Sequence, residues 1–214
     1  MNFNDHSNLE GQHALLSASK YHWINYEPDD IVESYRNSFA QAIGTSLHDL
    51  ARSMIIHKVK MTRSDKRMVM LHLLNDGIPR NVLDVDLYFG NLMNYINDAI
   101  GYGMQPETVL YYSDFCFGTA DAINPLQGIL KNRFLRIHDL KTGRTPAHME
   151  QLQVYAALFC LEYKTSPLEI DTELRIYQGD DIVSMTPDPH DILDITNKII
   201  AADKMLRQLK SQED

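Results

Sequence analysis

Three segments between residues 115 and 155 are the most informative part of the sequence: FCFGTADAI (115–123), LRIHDLKTG (135–143) and QLQVY (151–155). The first two are short apolar runs that each carry a carboxylate, Asp121 and Asp139, and such runs are typical of buried strands. Side chains alternate across a strand, so Asp139 and Lys141 should lie on the same side of the second one. The stretch therefore predicts two acidic strands with a lysine beside one carboxylate.

Two carboxylates and a lysine at strand ends indicate a particular chemistry. Carboxylate oxygens are the ligands that hard divalent cations such as Mg²⁺ take in proteins. The lysine would then be left to act on an anionic substrate or on water held by the cation. Buried charges of this kind are costly without a function, and the combination suits the hydrolysis of a phosphodiester.

With these segments the chain resembles the RecB-like branch of the PD-(D/E)xK nucleases, which includes CRISPR-associated and phage-encoded members. The pattern of that branch, Gly-x-x-Asp, Asp-x-Lys and Gln-x-x-x-Tyr, reads here GTAD (118–121), DLK (139–141) and QLQVY (151–155). An upstream helical Gly-x-x-x-His, whose histidine binds metal in the branch, is matched by GTSLH (44–48). Asp-x-Lys alone arises by chance in most proteins of this size, but four elements in order are specific. The resemblance covers residues 17–177.

The resemblance implies an α/β (α+β) fold with a restriction-endonuclease-like core. In such a fold helices flank a small mixed central sheet, and here an N-terminal helical region would precede it. The chain has 214 residues and is 44% hydrophobic, which suits one domain with a substantial core. We expect a flexible arm over residues 1–16, a helical part over 17–105, a catalytic core of sheet and helix over 106–186, and a terminal helix over 187–214.

Periodicity and turn signals predict the individual elements. Ser17 or Ser19 should cap a short helix, and apolar spacing predicts one long helix over residues 29–57, followed by helices over 64–75 and 83–100. The strands are expected as a hairpin of 108–112 and 115–123, a third strand over 134–141, and a second hairpin of 173–177 and 182–185 around Gly179 and Asp180. Thr145 and Pro146 should begin a helix that reaches residue 163, and Asp188 with Pro189 should begin the last one.

The resemblance also assigns roles to residues of this sequence. The metal ligands would be His48, Asp121, Asp139 and the backbone carbonyl of Leu140, and the cation Mg²⁺ or Mn²⁺. Lys141 would orient the attacking water or stabilise the pentacovalent phosphate. Gln151 and Tyr155 would complete the catalytic set by holding the substrate backbone or bracing Lys141; the alternative is a helix amide and a packed aromatic ring. Glu107 is a weaker candidate at an acidic position often seen in the branch.

The charge of the chain bears on its partners. A formal net charge of −9 argues, taken alone, against a general nucleic-acid binder. Basic residues nevertheless cluster on either side of the proposed catalytic elements, where they could contact phosphates or simply form a solvated surface. The candidates for DNA binding are Lys58, Lys60, Arg63, Lys131, Arg133 and Arg144.

The sequence thus predicts a metal-dependent deoxyribonuclease, with exonuclease activity in DNA recombination, repair or phage DNA metabolism favoured. The alternative is a catalytically inactive, nucleic-acid-binding subunit of a larger DNA-processing complex. DNA is the expected partner, and a recombinase, a single-strand-binding protein or a helicase is a further candidate. Strand polarity, single- or double-strand preference and oligomeric state are left open by these motifs.

Further features concern location and cofactors. No apolar run approaches the ~20 residues that span a bilayer, and the polar start lacks a signal-peptide pattern. We therefore expect a cytoplasmic protein, in the host cytoplasm if phage-encoded. Cys116 and Cys160 are the only cysteines; they should be reduced and buried, and they cannot hold the four-cysteine iron–sulfur cluster of some RecB-like proteins.

Overall fold

A computed structural model describes residues 4–9, 11–143, 146–179 and 181–212. Within these ranges the chain forms seven α-helices and five strands, and the strands pair into one mixed sheet with helices on its faces. The α/β class, the mixed central sheet and the N-terminal helical region are as predicted. The helices are α1 Pro28–Asn37, α2 Ala40–His57, α3 Lys66–Asn75, α4 Val85–Gly101, α5 Leu126–Asn132, α6 Glu150–Glu162 and α7 Pro189–Lys210; the strands are β1 Gln105–Ser113, β2 Cys116–Ile123, β3 Phe134–Lys141, β4 Asp171–Gln178 and β5 Asp181–Met185.

The strands lie in the sheet in chain order, and only the β3–β4 pair is parallel. A parallel pair needs a crossover, which α6 supplies between these two strands. β3 pairs with β4 along its whole length, whereas β2 pairs with β3 only through Ala122 and Ile123. Because β2 and β3 are antiparallel, the remainder of the β1–β2 hairpin projects past the carboxyl end of β3.

Both faces of the sheet are covered by apolar side chains. Leu140 of β3 and Tyr177 of β4 belong to the cluster formed with α2, α3 and α4. Leu135 and Ile137 of β3 belong to a second cluster, which α6 and α7 complete. A strand covered on both faces is expected to be a nearly continuous apolar run, so the buried Asp139 in β3 needs its own explanation.

The prediction of one long helix over residues 29–57 was wrong. The chain breaks between α1 and α2, where the Ser38 hydroxyl donates to the Tyr35 carbonyl at 2.7 Å. The Phe39 N–H bonds to the Arg36 carbonyl at 3.1 Å, which is an i→i−3 bond that tightens the backbone. Periodicity could not reveal this break because α1 and α2 each keep a helical spacing of apolar residues.

For the other helices and strands, the accuracy of the predicted first and last residues varied. The observed β3 has the predicted bounds, and Asp188 caps α7 by accepting the His190 N–H at 2.9 Å. The helix predicted from Pro146 begins instead at Glu150, and its predicted cap Thr145 lies outside the described residues. The Ser17 cap was also wrong: residues Ala18–Asn25 form a 3₁₀ helix without a side-chain cap, because the Ser17 and Ser19 hydroxyls bond to each other.

Three further expectations can be compared with the structure. Cys160 is buried, whereas Cys116 is only half-buried, and both are free thiols. Residues 1–3 and 10 of the predicted arm, Asp180 of the second hairpin and residues 213–214 lie outside the described ranges. Among the described helices, none combines the length and apolarity that a membrane span requires.

Candidate metal centre

Helix α2 crosses over the carboxyl end of β3, and Gly44 permits the close approach. A side chain at Gly44 would place its Cβ 3.0 Å from the Thr142 hydroxyl oxygen, so a larger residue would require the Thr142 side chain or the helix to shift. His48 lies one turn further along α2, on the same face. The spacing of Gly44 and His48 therefore places an imidazole above the end of β3, as the sequence predicted.

His48 is held in a defined orientation. Its Nε2 lies 3.0 Å from the carbonyl oxygen of Leu140. A carbonyl can only accept, so Nε2 carries the proton, and in the neutral ring Nδ1 keeps its lone pair. Nδ1 lies 3.6 Å from Asp121 Oδ2 and 3.7 Å from Glu107 Oε1. A backbone carbonyl that fixes the tautomer while the other nitrogen faces carboxylates is the usual arrangement of a metal-binding histidine.

Two carboxylates face each other across the β1–β2 hairpin. Pro106 pairs with Ala122 and Thr108 pairs with Ala120, so Glu107 and Asp121 are at opposed positions. His48, Glu107 and Asp121 each offer one ligand atom. These three atoms lie within 4.8 Å of one another, a spacing that could hold a cation. Like charges directly opposite in a hairpin are destabilising unless something compensates them.

The DLK and QLQVY segments meet in a chain of hydrogen bonds. Lys141 Nζ donates to Asp139 Oδ1 at 3.1 Å and to Gln151 Oε1 at 2.8 Å. Gln151 Nε2 in turn donates to the Tyr155 hydroxyl at 3.1 Å. Gly118 completes the contact, because a Cβ there would lie 2.9 Å from Cε1 of the Tyr155 ring. The predicted catalytic residues are therefore brought together at one end of the sheet.

The carboxylates of the site are buried more deeply than the protein's own cations can compensate. Burial, and then the nearby Asp139, raise the pKa of Asp121 to about 7, although His48 and the Leu140 N–H oppose the rise. Burial also raises the pKa of Asp139, against the opposing effect of Lys141. Asp139 is 2% exposed, and Lys141 Nζ lies 3.1 Å from its Oδ1 and 3.0 Å from its Oδ2. Even with this ion pair, burial leaves the pKa of both aspartates raised, so Glu107, Asp121 and Asp139 form a donor set that fits a hard divalent cation.

The predicted ligands fall into two groups. His48 and Asp121 belong to the three-residue cluster, with Glu107 as the third member. Asp139 lies outside that cluster and is engaged by Lys141. The Leu140 carbonyl accepts from His48, but its second lone pair leaves it able to bind a cation as well. The ligand roles of His48, Asp121, Asp139 and Leu140 all stay predictions.

The described basic candidates are not among the residues that line the cleft bordered by His48 and Glu107, and their DNA-binding roles stay predictions. Lys58, the residue after the end of α2, is ten residues beyond His48, about 15 Å along the helix axis, and Lys60 and Arg63 follow it. Lys131 and Arg133 lie at the opposite end of β3 from Asp139, about 20 Å away for Arg133. Arg133 is also within 3.8 Å of Glu169. Arg144 lies outside the described residues.

Two further residues, absent from the predicted catalytic and ligand sets, lie near the site. Arg52 borders the same cleft of about 560 Å³ as His48 and Glu107, and its position four residues after His48 on a helix could have indicated this. Tyr95 of α4 is buried close to the carboxylates: burial, with Asp121, Glu107 and Asp139, raises its pKa well above the ordinary value. Its apolar neighbours in sequence gave no sign of a polar role.

The geometry assembles a cluster that could hold a cation beside a lysine that donates to an amide oxygen. Such an arrangement can bind a divalent ion, and it leaves a lysine and an arginine close enough to contact an anionic substrate. Comparisons with protein-family models, with curated proteins and with solved structures find no match for this chain.

Proposed function

We propose that this chain is a divalent-metal-dependent deoxyribonuclease of the RecB-like PD-(D/E)xK type. The observation that carries the proposal is the convergence of four segments, distant in sequence, at the carboxyl end of β3. The GTSLH and GTAD segments contribute to the cluster of His48 and Asp121, and the DLK and QLQVY segments contribute the connected Lys141 and Gln151. The exonuclease assignment, and a role in recombination, repair or phage DNA metabolism, come from the sequence resemblance.

The residues present fit Mg²⁺ or Mn²⁺. Carboxylate oxygens suit either ion, and the imidazole nitrogen of His48 favours Mn²⁺ somewhat. His48, Glu107 and Asp121 would hold the ion, with Asp139 and the Leu140 carbonyl as further candidates. When bound, such a cation acidifies water and offsets the charge that develops on a phosphate.

The remaining side chains position the substrate. Lys141 has its ammonium directed by Asp139 and Gln151, and it is 29% exposed, so a proton on Nζ can still reach a phosphate oxygen. The Tyr155 hydroxyl accepts a hydrogen bond from the Gln151 side-chain amide and so limits the rotation of that amide. An inactive binding subunit would have no need of this connected chain of lysine, amide and phenol.

The proposal is tested by digesting end-labelled linear, closed-circular and single-stranded DNA in Mg²⁺, Mn²⁺, Ca²⁺ or EDTA. Linear or single-stranded DNA should be shortened in Mg²⁺ or Mn²⁺, closed circles should persist, and EDTA should abolish the reaction. Lys141→Met is the matched control, because it removes the ammonium while keeping the length of the side chain. Intact DNA after incubation of the folded protein with either metal would refute the proposal.

A further inference from the structure

The β1–β2 hairpin has one packed face and one open face. On the packed face, Leu110 and Ala120 are buried, and Gly118 lies against the Tyr155 ring of α6. On the open face, the register pairs Val109 with Thr119 and Tyr111 with Phe117. Taken outward from the metal centre, the open face consists of the opposed positions Glu107 and Asp121, Val109 and Thr119, and Tyr111 and Phe117.

The outer end of this face carries two exposed aromatic rings. Tyr111 is 46% and Phe117 is 61% exposed, and their rings are nearly parallel, at 28°, with centroids 6.3 Å apart. The Tyr111 hydroxyl donates to Asp114 at 2.7 Å, which fixes its ring. Four residues of strand separate this pair from Glu107 and Asp121, a distance of about 13 Å. The rings form a small, oriented apolar platform beyond the carboxyl end of β3.

We propose that Tyr111 and Phe117 form a platform on which unpaired nucleobases of the substrate stack, beside the metal centre. The identity of the substrate rests on the proposed function. Aromatic side chains bind single-stranded nucleic acid by stacking, with little dependence on base sequence. A distance of ~13 Å corresponds to about four nucleotides of a stacked strand at 3.4 Å each, and to fewer of an extended strand. A base reaches a ring face only when unpaired, so the platform selects single-stranded DNA or a frayed or overhanging end.

The surroundings of Tyr111 and Phe117 favour a nucleic acid over another protein as the binding partner. Stable protein interfaces use about 20 to 30 residues on each side, whereas the large exposed apolar side chains of this hairpin are Val109, Tyr111, Phe115 and Phe117. Added-strand pairing along β1 is also hindered, because the Tyr111 N–H already donates to Glu162 Oε2 at 2.9 Å. Stacking needs no positive charge, which suits a chain of net charge −9.

Binding of labelled DNA, followed by fluorescence anisotropy in Ca²⁺, tests the platform. The variant Tyr111→Ala/Phe117→Ala should bind a short oligothymidylate about 10-fold more weakly or worse, and a blunt duplex nearly as well as the wild type. The weakening should be the same at low and physiological salt, because stacking releases no counterions. Ile182→Ala/Val183→Ala is the control, since both side chains are exposed on β5 at the other edge of the sheet.

An abasic nucleotide makes the test specific. The abasic nucleotide is moved stepwise along the oligonucleotide. At one or two positions it should weaken binding to the wild type. At the same positions it should not change binding to Tyr111→Ala/Phe117→Ala, because the rings that it would leave unstacked are already absent, as a double-mutant cycle requires. Tyr111→Leu/Phe117→Leu keeps the hairpin apolar and should lose the same positional effect, which guards against a folding defect. An oligonucleotide bound equally by all variants would overturn the platform, and so would dimerisation of the wild type that the variants abolish.

Hydrolysis of bis(p-nitrophenyl) phosphate separates this inference from the proposed function. That ester is too short to reach Tyr111 and Phe117. Tyr111→Ala/Phe117→Ala and Tyr111→Leu/Phe117→Leu should therefore cleave it in Mn²⁺ at the wild-type rate. If the wild type cleaves the ester and DNA but the variants bind oligothymidylate normally, the platform fails and the nuclease stands. If the wild type cleaves neither yet shows the abasic effect, the nuclease fails and the platform stands.

Discussion

Replacing Asp121 by asparagine should stabilise the metal-free protein at neutral pH. Asparagine keeps an oxygen that can accept the Leu140 N–H, which Asp121 Oδ2 now accepts at 2.8 Å. It removes a carboxylate whose pKa burial, and then the charge of Asp139, raise from 3.8 to about 7. In the absence of a cation the wild type must either ionise this buried group or keep it protonated, and both are unfavourable at pH 7.

The sign and size follow from proton linkage. Because the pKa of Asp121 is higher in the folded state, the folded protein binds more protons between pH 3.8 and about 7, and stability falls as the pH rises through that window. The rise of about three pKa units corresponds to about 4 kcal/mol at ~1.4 kcal/mol per unit. This is an upper bound, because Asp121 and Asp139 titrate as an interacting pair. Above pH 7 the loss should reach a plateau.

Urea unfolding in EDTA between pH 4 and 8 measures the effect. The difference in unfolding free energy between Asp121→Asn and the wild type should grow with pH and level off near neutrality. Added Mn²⁺ should reverse the order, since only the wild type would gain full stabilisation from binding. Parallel pH curves for the two proteins in EDTA would show that burial of Asp121 is not destabilising, and the electrostatic argument for a cation would then fail.

Four further outcomes are expected. Asp139→Ala should lower DNA hydrolysis by at least ~100-fold in a gel assay, because it removes the partner of Lys141 and a candidate ligand; equal rates would refute the site. His48→Ala should weaken Mn²⁺ binding by about 10- to 100-fold in calorimetric titration while the unfolding transition stays nearly unchanged, since the ring is at the rim of the core. Arg52→Ala should weaken DNA binding and lower its salt slope by about one, whereas Arg133→Ala at the far end of β3 should change neither. Gly118→Ala should cost about 1 to 3 kcal/mol in thermal unfolding, because its Cβ would meet the Tyr155 ring, and the cost should shrink in a Tyr155→Ala background.

The sequence was sufficient wherever a local pattern reports directly on geometry. Period-2 alternation placed Asp139 and Lys141 on one side of β3, and their side chains are in hydrogen-bond contact. Helical spacing placed Gly44 and His48 on one face of α2, and both contact the end of β3 or the residue after it. In each case one strand or one helix fixes the relation between the two residues.

The features that the sequence indicated weakly or not at all depend on contacts between elements. Glu107, only a weaker candidate from the resemblance, joins the candidate metal cluster because the hairpin register sets it opposite Asp121. Its backbone has a positive φ of 50°, which no residue preference of glutamate suggests. Arg133 seemed close to the site because it precedes β3 in sequence, yet an extended strand carries it away from Asp139. Proximity in sequence is therefore misleading for residues at opposite ends of one strand.

An acidic protein with buried carboxylates repels a phosphate group until a cation is bound. The cluster of His48, Glu107 and Asp121 would convert from a negative site into one that attracts phosphate when a divalent ion occupies it. If the chain acts on DNA as proposed, binding of metal and of DNA should be coupled, and by linkage each would raise the affinity for the other by the same factor. If the proposed function is correct, the ion, Lys141 and Arg52 would supply electrostatic attraction at the site itself. Binding of DNA would then not depend on Lys131 and Arg133, which lie at the other end of β3.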